Sequence, residues 1–266
     1  MQTYPILTTM FYMLARSVII MKQTLPDKII NHLFWLVLNN IVFCYIMPHA
    51  SSVGTDENYG ILIALSMPIS AAFFGAINCM YGLLYDVTTE GSSLRYELTL
   101  PLPQWLTFVK YGIEISIQTF LATSILFPVT YIMLYGQIPL SILGVFKFYL
   151  ILLATSIFSG FFSVFIVSVA DNMFQGLDNV WIRIIFPMWF LGCFQFSWAD
   201  LYSINKWFAY ADLLNPLTYA LEGSRSSLIS TGSILNFWIC IVMLLIFSII
   251  FGYLGIQRLM KRMDCL

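Results

Sequence analysis

The sequence predicts an all-α polytopic membrane protein with six transmembrane helices, and three observations support this fold class. Of the 266 residues, 60% are hydrophobic and only 9% are charged, too few to cover the surface of a soluble domain. Six stretches are long enough to cross the bilayer, which takes about 20 apolar residues of helix. The apolar runs, such as residues 239–247, do not alternate with polar residues as the strands of a membrane β-barrel do. A backbone in lipid then satisfies its hydrogen bonds within helices.

The six predicted spans follow one another along residues 1–266 as a single transmembrane domain. Short loops join them and exclude a large external domain. The spans cover residues 29–49, 60–84, 106–134, 143–169, 181–199 and 234–256.

Residues 1–28 precede the first span and are predicted to form a helix on the cytoplasmic membrane surface. The stretch 4–25 is apolar yet contains Arg16 and Lys22, as interfacial helices do. Pro26 follows and disfavours a helical conformation of the residue before it. The two cations also interrupt any signal-peptide core, so the whole chain is expected to be retained.

The distribution of basic residues predicts the orientation. Six spans put both termini on one side of the membrane. Nine lysines and arginines fall on that side, against Lys147, Lys206 and Arg225 on the other. Because cytoplasmic loops carry the excess of these residues, both termini are predicted to be cytoplasmic. The expected location is the bacterial inner membrane.

The cytoplasmic loop 86–105 is predicted to contain a short helix. Ser92 or Ser93 can cap its N-terminus, and Leu94 and Leu98 share one face at four-residue spacing. Two prolines follow and end the helix, since neither can continue the helical hydrogen bonds.

The external loop 200–232 is predicted to contain a second non-spanning helix. Asn215 is a suitable N-cap and Pro216 suits the first helical position, so a helix is expected to run to about Ser230. Such a helix is too short to cross the bilayer and should be re-entrant or interfacial. Backbone of this kind at membrane depth packs against protein or lines a cavity. Residues 200–232 are therefore a candidate external gate.

Several polar residues within or beside the spans admit two interpretations. Lys110 and Glu114 are one helical turn apart, which favours an interfacial ion pair over a functional carboxylate. Glu222 and Arg225 on the gate helix admit the same choice. Five amides either bond a neighbouring helix or line a wet path. They are Asn39, Asn40, Asn78, Gln118 and Gln195.

The sequence predicts neither a metal site nor a nucleotide site. Its five cysteines contain no CxxC pair, and His32 and His49 lie about 26 Å apart on one helix. The chain has no Gly-Lys pair and so lacks the phosphate-binding loop of nucleotide hydrolases. No cofactor is expected on this chain.

Two motifs in this layout resemble the permease subunits of type-2 ATP-binding-cassette exporters, over nearly the whole chain. One is the cytoplasmic loop, with Glu90, then Leu94, Arg95, Tyr96, Glu97 and Leu98, then a proline turn into the third span. The other is an Asn-Pro-Leu-Thr-Tyr-x-x-Glu-x-x-Arg stretch formed by Asn215, Pro216, Leu217, Thr218, Tyr219, Glu222 and Arg225.

The resemblance implies partners and roles for these residues. Two permease copies, or one copy and a close paralogue, form the path in contact with membrane lipid and without nucleic acid, and a separate ATPase binds ATP and Mg. The residues of the first motif, including Glu90, would couple to that ATPase, and Asn215, Pro216, Tyr219, Glu222 and Arg225 would form the external gate. Arg95 is the only basic residue of its loop before Lys110. ATPase docking is therefore expected to rely on leucine and tyrosine packing.

Two other functions remain open at this point. A secondary transporter driven by protons or sodium usually has internal repeats and broken helices at the midplane. No repeat is evident in this sequence, and no acidic residue lies near the centre of any predicted span. A lipid-modifying enzyme needs a convergent set of reactive groups, whereas the charged residues here are spread over both faces. The preferred substrate class is amphipathic: a lipid, a lipid-linked saccharide or a drug.

Overall fold

The computed structural model describes residues 3–47, 58–88, 92–100, 102–138, 140–170, 179–229 and 235–264, and these residues form helices and turns without any strand. The predicted all-α membrane fold is confirmed. The helices are α1 (Thr3–Asn40), α2 (Asn58–Thr88), α3 (Ser92–Leu98), α4 (Gln104–Ser124), α5 (Leu126–Met133), α6 (Ile142–Val169), α7 (Phe186–Leu191), α8 (Trp198–Ile204), α9 (Lys206–Asp212), α10 (Pro216–Leu228) and α11 (Phe237–Asp264). π-Helical turns extend α1 through Ile41–Ile46 and precede α7 at Trp181–Ile185.

Five helical segments are long and apolar enough to cross a membrane, and they correspond to the first, second, third, fourth and sixth predicted spans. They are Thr8–Ile46, Tyr59–Val87, Gln104–Met133, Ile142–Val169 and Phe237–Arg262. Their lengths of 26 to 39 residues each exceed the roughly 20 that a bilayer requires.

The fifth predicted span, 181–199, is too long: the helix ends at Leu191, after about 16 Å. The apolar run continues, but Cys193 adopts a φ of 63°, which no α-helix accommodates. The carbonyl oxygens of Phe194 and Phe196 then accept hydrogen bonds from the Arg225 side chain. The buried Arg225 guanidinium thus satisfies carbonyl oxygens that backbone N–H groups would bond if the helix continued.

The predicted helix break at Pro26 is also wrong, because this proline lies inside α1. A proline removes one hydrogen bond from a helix, and packing along α1 outweighs that loss. The Ser17 hydroxyl donates to Glu114 of α4, and the Thr24 hydroxyl accepts from Gln118. Helix α1 therefore follows α4 in the same direction. The position of residues 1–28 at the cytoplasmic surface stays a prediction.

Helix α6 lies at the centre of the bundle and packs against α2, α4, α10 and α11. Its Phe148, Phe158 and Phe162 side chains are buried among these neighbours. Two serines on α6, Ser156 and Ser163, donate to carbonyl oxygens four residues earlier in the same helix, which satisfies both hydroxyls. Because α6 contacts both α4 and α10, it connects the two regions in which the sequence places functional residues.

Candidate functional site

The outer cluster is a set of buried polar groups around Arg225, on the side of the bundle that is predicted to be external. The Arg225 side chain is 2% exposed. It donates to Glu222 at 3.0 Å, to the carbonyl oxygens of Phe194 and Phe196 at 2.9 and 2.7 Å, and to the Ser66 hydroxyl at 3.1 Å. Glu222 and Arg225, for which the sequence left a structural pair and a functional role open, form an ion pair. The hydrogen bonds of Arg225 to Ser66, Phe194 and Phe196 fasten α10 to α2 and to the segment after α7.

The start of α10 is built as the sequence predicts. The Asn215 side chain accepts from the backbone N–H of Leu217 at 3.1 Å, and Pro216 occupies the first turn. The Asn215 amide also donates to the Met188 carbonyl at 2.7 Å, and the Tyr219 hydroxyl donates to the Leu213 carbonyl. All five predicted gate residues therefore lie on one element. Helix α10 is buried on nearly every side, which agrees with a helix embedded in the protein.

Two short helices before α10 were missed by the sequence analysis. Ser197 and Asp200 form a capping box at the start of α8, and Asn205 caps α9 by accepting from the Trp207 N–H at 2.9 Å. Both caps are residue types that mark helix starts, so the signal was present in the sequence. At the end of α9, burial raises the pKa of the Asp212 carboxyl above its ordinary value, although hydrogen bonds from the Thr218 hydroxyl and other groups oppose that shift.

The inner cluster comprises Lys110, Glu97, Glu114 and Ser17, on the side of the bundle that is predicted to be cytoplasmic. The Lys110 ammonium, 5% exposed at the side chain, lies 2.8 Å from Glu97 and 3.0 Å from Glu114. The Ser17 hydroxyl donates to Glu114 at 3.0 Å. The predicted Lys110–Glu114 pair is confirmed, whereas the Glu97 partner was missed because no local spacing links it to Lys110. These bonds join α3 and α1 to α4.

Helix α3 is the short helix predicted in the loop 86–105, and it is confirmed at Ser92–Leu98. Leu94 on this helix is fully buried in the chain's own core and Leu98 is half-buried, so their shared face packs inward. Tyr96 is 56% exposed, with the Arg16 guanidinium 5.8 Å from its ring centre. Glu90 and the side chain of Arg95 lie outside the described residues. Assignment of this helix to ATPase coupling stays a prediction.

A cavity of about 360 Å³ adjoins the inner cluster. Its lining includes Arg16, Lys28, Asp86 and Gln118 beside the cluster's own residues. The second carboxylate oxygen of Glu97 is buried and has no hydrogen-bond partner among the residues that the structure describes. A cavity of this size with several charged side chains in its wall has room for water, so the ion pairs of the inner cluster have space to rearrange.

Two of the five predicted amides bond a neighbouring helix, and the alternative, that amides line a wet path, stays a prediction. Gln118 and Asn40 bond groups on neighbouring helices, a threonine of α1 for Gln118 and the Met133 sulfur for Asn40. Asn39 donates to a carbonyl of its own helix. Asn78 and Gln195 are exposed. In the described part of the chain, no group of three His, Cys, Asp or Glu residues is arranged to hold a metal ion.

The two clusters lie near opposite ends of α2. Ser66 of α2 contacts the outer cluster, and Asp86 lines the cavity beside the inner one. Twenty residues of helix separate them, which is about 30 Å and close to the thickness of a bilayer's hydrocarbon core. The short helix α3 and the buried helix α10 thus lie near opposite ends of one spanning helix.

The long apolar helices and the embedded, non-spanning α10 define a polytopic all-α membrane protein. The chain belongs to the ABC-2 type transporter family, whose sequence profile matches residues 4–229. The resemblance found in the sequence is thereby confirmed at the level of the family.

A protein named "Putative transport permease ycf38" from Porphyra purpurea is 28% identical over 207 residues, which cover 76% of this chain. The matched region spans 66% of that relative's length. No solved structure matches the chain.

Proposed function

We propose that this permease forms the translocation path of an ATP-driven exporter together with a second copy or a close paralogue. Each permease docks a separate ATPase, which binds ATP and Mg and hydrolyses the nucleotide. The assembly lies in the bacterial inner membrane with both permease termini in the cytoplasm, as the excess of basic residues on that side indicates. The substrate is amphipathic: a lipid, a lipid-linked saccharide or a hydrophobic drug.

The observation that carries this proposal is the way α3 is fixed to the bundle. Leu94 anchors the helix in the core, and Glu97 binds Lys110 near the start of α4. A displacement of α3 by a docked ATPase is therefore transmitted to α4 rather than absorbed by a flexible loop.

The route from α3 to the outer cluster is a continuous series of packed helices. Helix α4 packs against α6, and α6 packs against α10, which carries Glu222 and Arg225. A partner that binds one arrangement of α3 more tightly than another shifts the permease between conformations by that difference in affinity. Sliding of packed helices is an established way for such a shift to travel through a bundle.

The docking surface on α3 is centred on Tyr96 rather than on the leucines. Leu94 is fully buried, so a partner contacts it only if the helix detaches. Tyr96 is exposed and aromatic, which is the residue type that most often dominates binding energy at protein interfaces.

The test is to co-express the tagged permease with its ABC ATPase and to compare Tyr96→Ala with Tyr135→Ala. Both tyrosines are exposed, but Tyr135 follows α5 at the opposite end of the bundle. Neither change should alter the melting temperature of the permease, because both remove exposed atoms. Tyr96→Ala should weaken co-purification of the ATPase by about tenfold, the effect of an interface residue worth ~1.4 kcal/mol. Tyr135→Ala should leave it unchanged.

Two results would contradict the proposal. One is a wild-type permease that retains no ATPase under conditions where it stays folded. The other is a Tyr96→Ala permease that retains the ATPase at the wild-type ratio.

A further inference from the structure

A groove of about 580 Å³ lies between the short helix Trp181–Leu191, helices α8 and α9, and the start of α10. We infer that this groove binds an acyl chain of an anionic phospholipid, whose phosphate group is held by Arg183. The inference concerns lipid binding by the permease alone and does not depend on an ATPase partner.

The walls of the groove are apolar and partly open to the surroundings. Pro187, Met188 and Leu191 form one wall, and Phe208 and Leu214 lie on the facing side. Leu191 is 62% exposed and Leu214 is 79% exposed. Exposed apolar surface of this extent is unfavourable in water but suits hydrocarbon. In a membrane protein, the ligand that fills such a groove is a hydrocarbon chain.

The polar groups at the outer end of the groove are already occupied. Asp212 accepts hydrogen bonds from the Thr218 hydroxyl at 2.8 Å and the Cys193 thiol at 3.2 Å. The Asn215 side chain bonds the Met188 carbonyl and the first turn of α10. These side chains therefore hold the short helix and the start of α10 together at that end of the groove.

The opposite end of the groove carries a cation. Arg183 is exposed, and no carboxylate in the described part of the chain lies within ion-pair distance of it. A guanidinium can bind a phosphate through two parallel hydrogen bonds. A cationic amphiphile would be repelled by this residue, and a neutral one would leave the guanidinium without a counter-charge.

The depth of Arg183 fits the headgroup of a lipid. The Trp181 indole donates to the Tyr81 hydroxyl at 2.7 Å, and the Trp189 indole donates to the Ser70 hydroxyl at 3.1 Å. The short helix therefore runs antiparallel to α2, with Arg183 toward the end of α2 that carries Asp86. An arginine near a span boundary extends its charged end to the phosphate layer while its stem stays in hydrocarbon. The cation and the apolar groove thus match the two parts of one phospholipid.

The experiment uses the purified full chain in detergent, with phosphatidylglycerol and phosphatidylcholine of identical acyl chains as probes. Native mass spectrometry counts bound lipid during titration of each probe. The wild-type chain should bind phosphatidylglycerol at about tenfold lower concentration than phosphatidylcholine, because both lipids offer a phosphate to Arg183 but the choline cation of phosphatidylcholine offsets its charge. Arg183→Gln should abolish this preference, whereas Arg258→Gln, which removes an exposed cation of α11 outside the groove, should retain it.

A groove-filling change tests the acyl-chain part separately. Leu191→Trp places a bulky side chain at an exposed groove position and should lower the binding of both lipids by one molecule. Circular dichroism and size-exclusion chromatography establish that each variant is folded. Equal lipid preference in Arg183→Gln and Arg258→Gln, or unchanged lipid stoichiometry in folded Leu191→Trp, would overturn the inference. Neither result bears on the ATPase, because no nucleotide or partner is present.

Discussion

The outer and inner clusters both pair a basic residue with glutamate, but they differ in how closely the protein surrounds them. Arg225 bonds glutamate, a hydroxyl and backbone carbonyls, and its Glu222 partner is fully buried. Lys110 holds two carboxylates beside a cavity of about 360 Å³, and Glu114 is 25% exposed at the side chain. The comparison indicates a fixed anchor on one side of the bundle and an adjustable joint on the other. Ion pairs that can rearrange are what the inner cluster requires if α3 is displaced by an ATPase, as proposed.

The largest expected effect is that of Arg225→Ala. The change leaves the fully buried Glu222 carboxylate without its cation and several backbone carbonyls without their donor. Breaking a buried pair in this way costs about 3–5 kcal/mol. The melting temperature in detergent and the yield of monodisperse protein should both fall sharply. Arg225→Lys keeps the charge but not the planar fork, so it should recover only part of the loss. An Arg225→Ala protein of wild-type stability would show that the outer cluster is no anchor.

A smaller effect is expected for Lys110→Met, which removes the only basic partner of Glu97 and Glu114 shown in the described structure. The loss should be about 2 kcal/mol, because water in the neighbouring cavity can hydrate the carboxylates left behind. Thermal unfolding of Lys110→Met and Arg225→Ala side by side measures the difference between the clusters. Equal losses would mean that the inner cluster is as rigid as the outer one. If the proposed coupling holds, Lys110→Met should also lower ATP-dependent transport at unchanged ATPase binding.

The smallest effect comes from adding a single methyl group in each region. A Cβ atom on Gly223 of α10 would lie 2.6 Å from the end of the Ile151 side chain and 3.2 Å from the Cys240 Cβ. Gly223→Ala should therefore cost about 1 kcal/mol through overpacking. A Cβ on Gly82, beside the inner cavity, meets no described atom within 4 Å. Gly82→Ala should be neutral or stabilise the helix by up to ~1 kcal/mol. A higher melting temperature for Gly223→Ala than for Gly82→Ala would mean that the protein is packed less tightly around Gly223 than around Gly82.

Features that depend on local chemistry could be predicted from the sequence. The long apolar runs identified the five long helices, and Asn215 followed by Pro216 located the start of α10. Short α3 was found in the same way, from a capping serine and following prolines. Each of these signals acts within a few residues, so no knowledge of tertiary structure was needed.

Features that depend on distant contacts could not be predicted. The end of the fifth helix depends on Arg225, and the Glu97–Lys110 pair forms across a proline turn. Pro26 marks a boundary by local rules but lies within α1, where Ser17 and Thr24 bond α4 before the proline and Lys28 bonds Cys79 of α2 after it. The caps of α8 and α9 were local signals that were overlooked beside the apolar run of the fifth span.

The bonds from Arg225 to the segment after α7 have a consequence for biosynthesis. Phe194 and Phe196 precede Arg225 by 31 and 29 residues, so their carbonyl oxygens are synthesised before their donor. The hydrogen bonds that hold the segment after α7 are therefore complete only once α10 is in place.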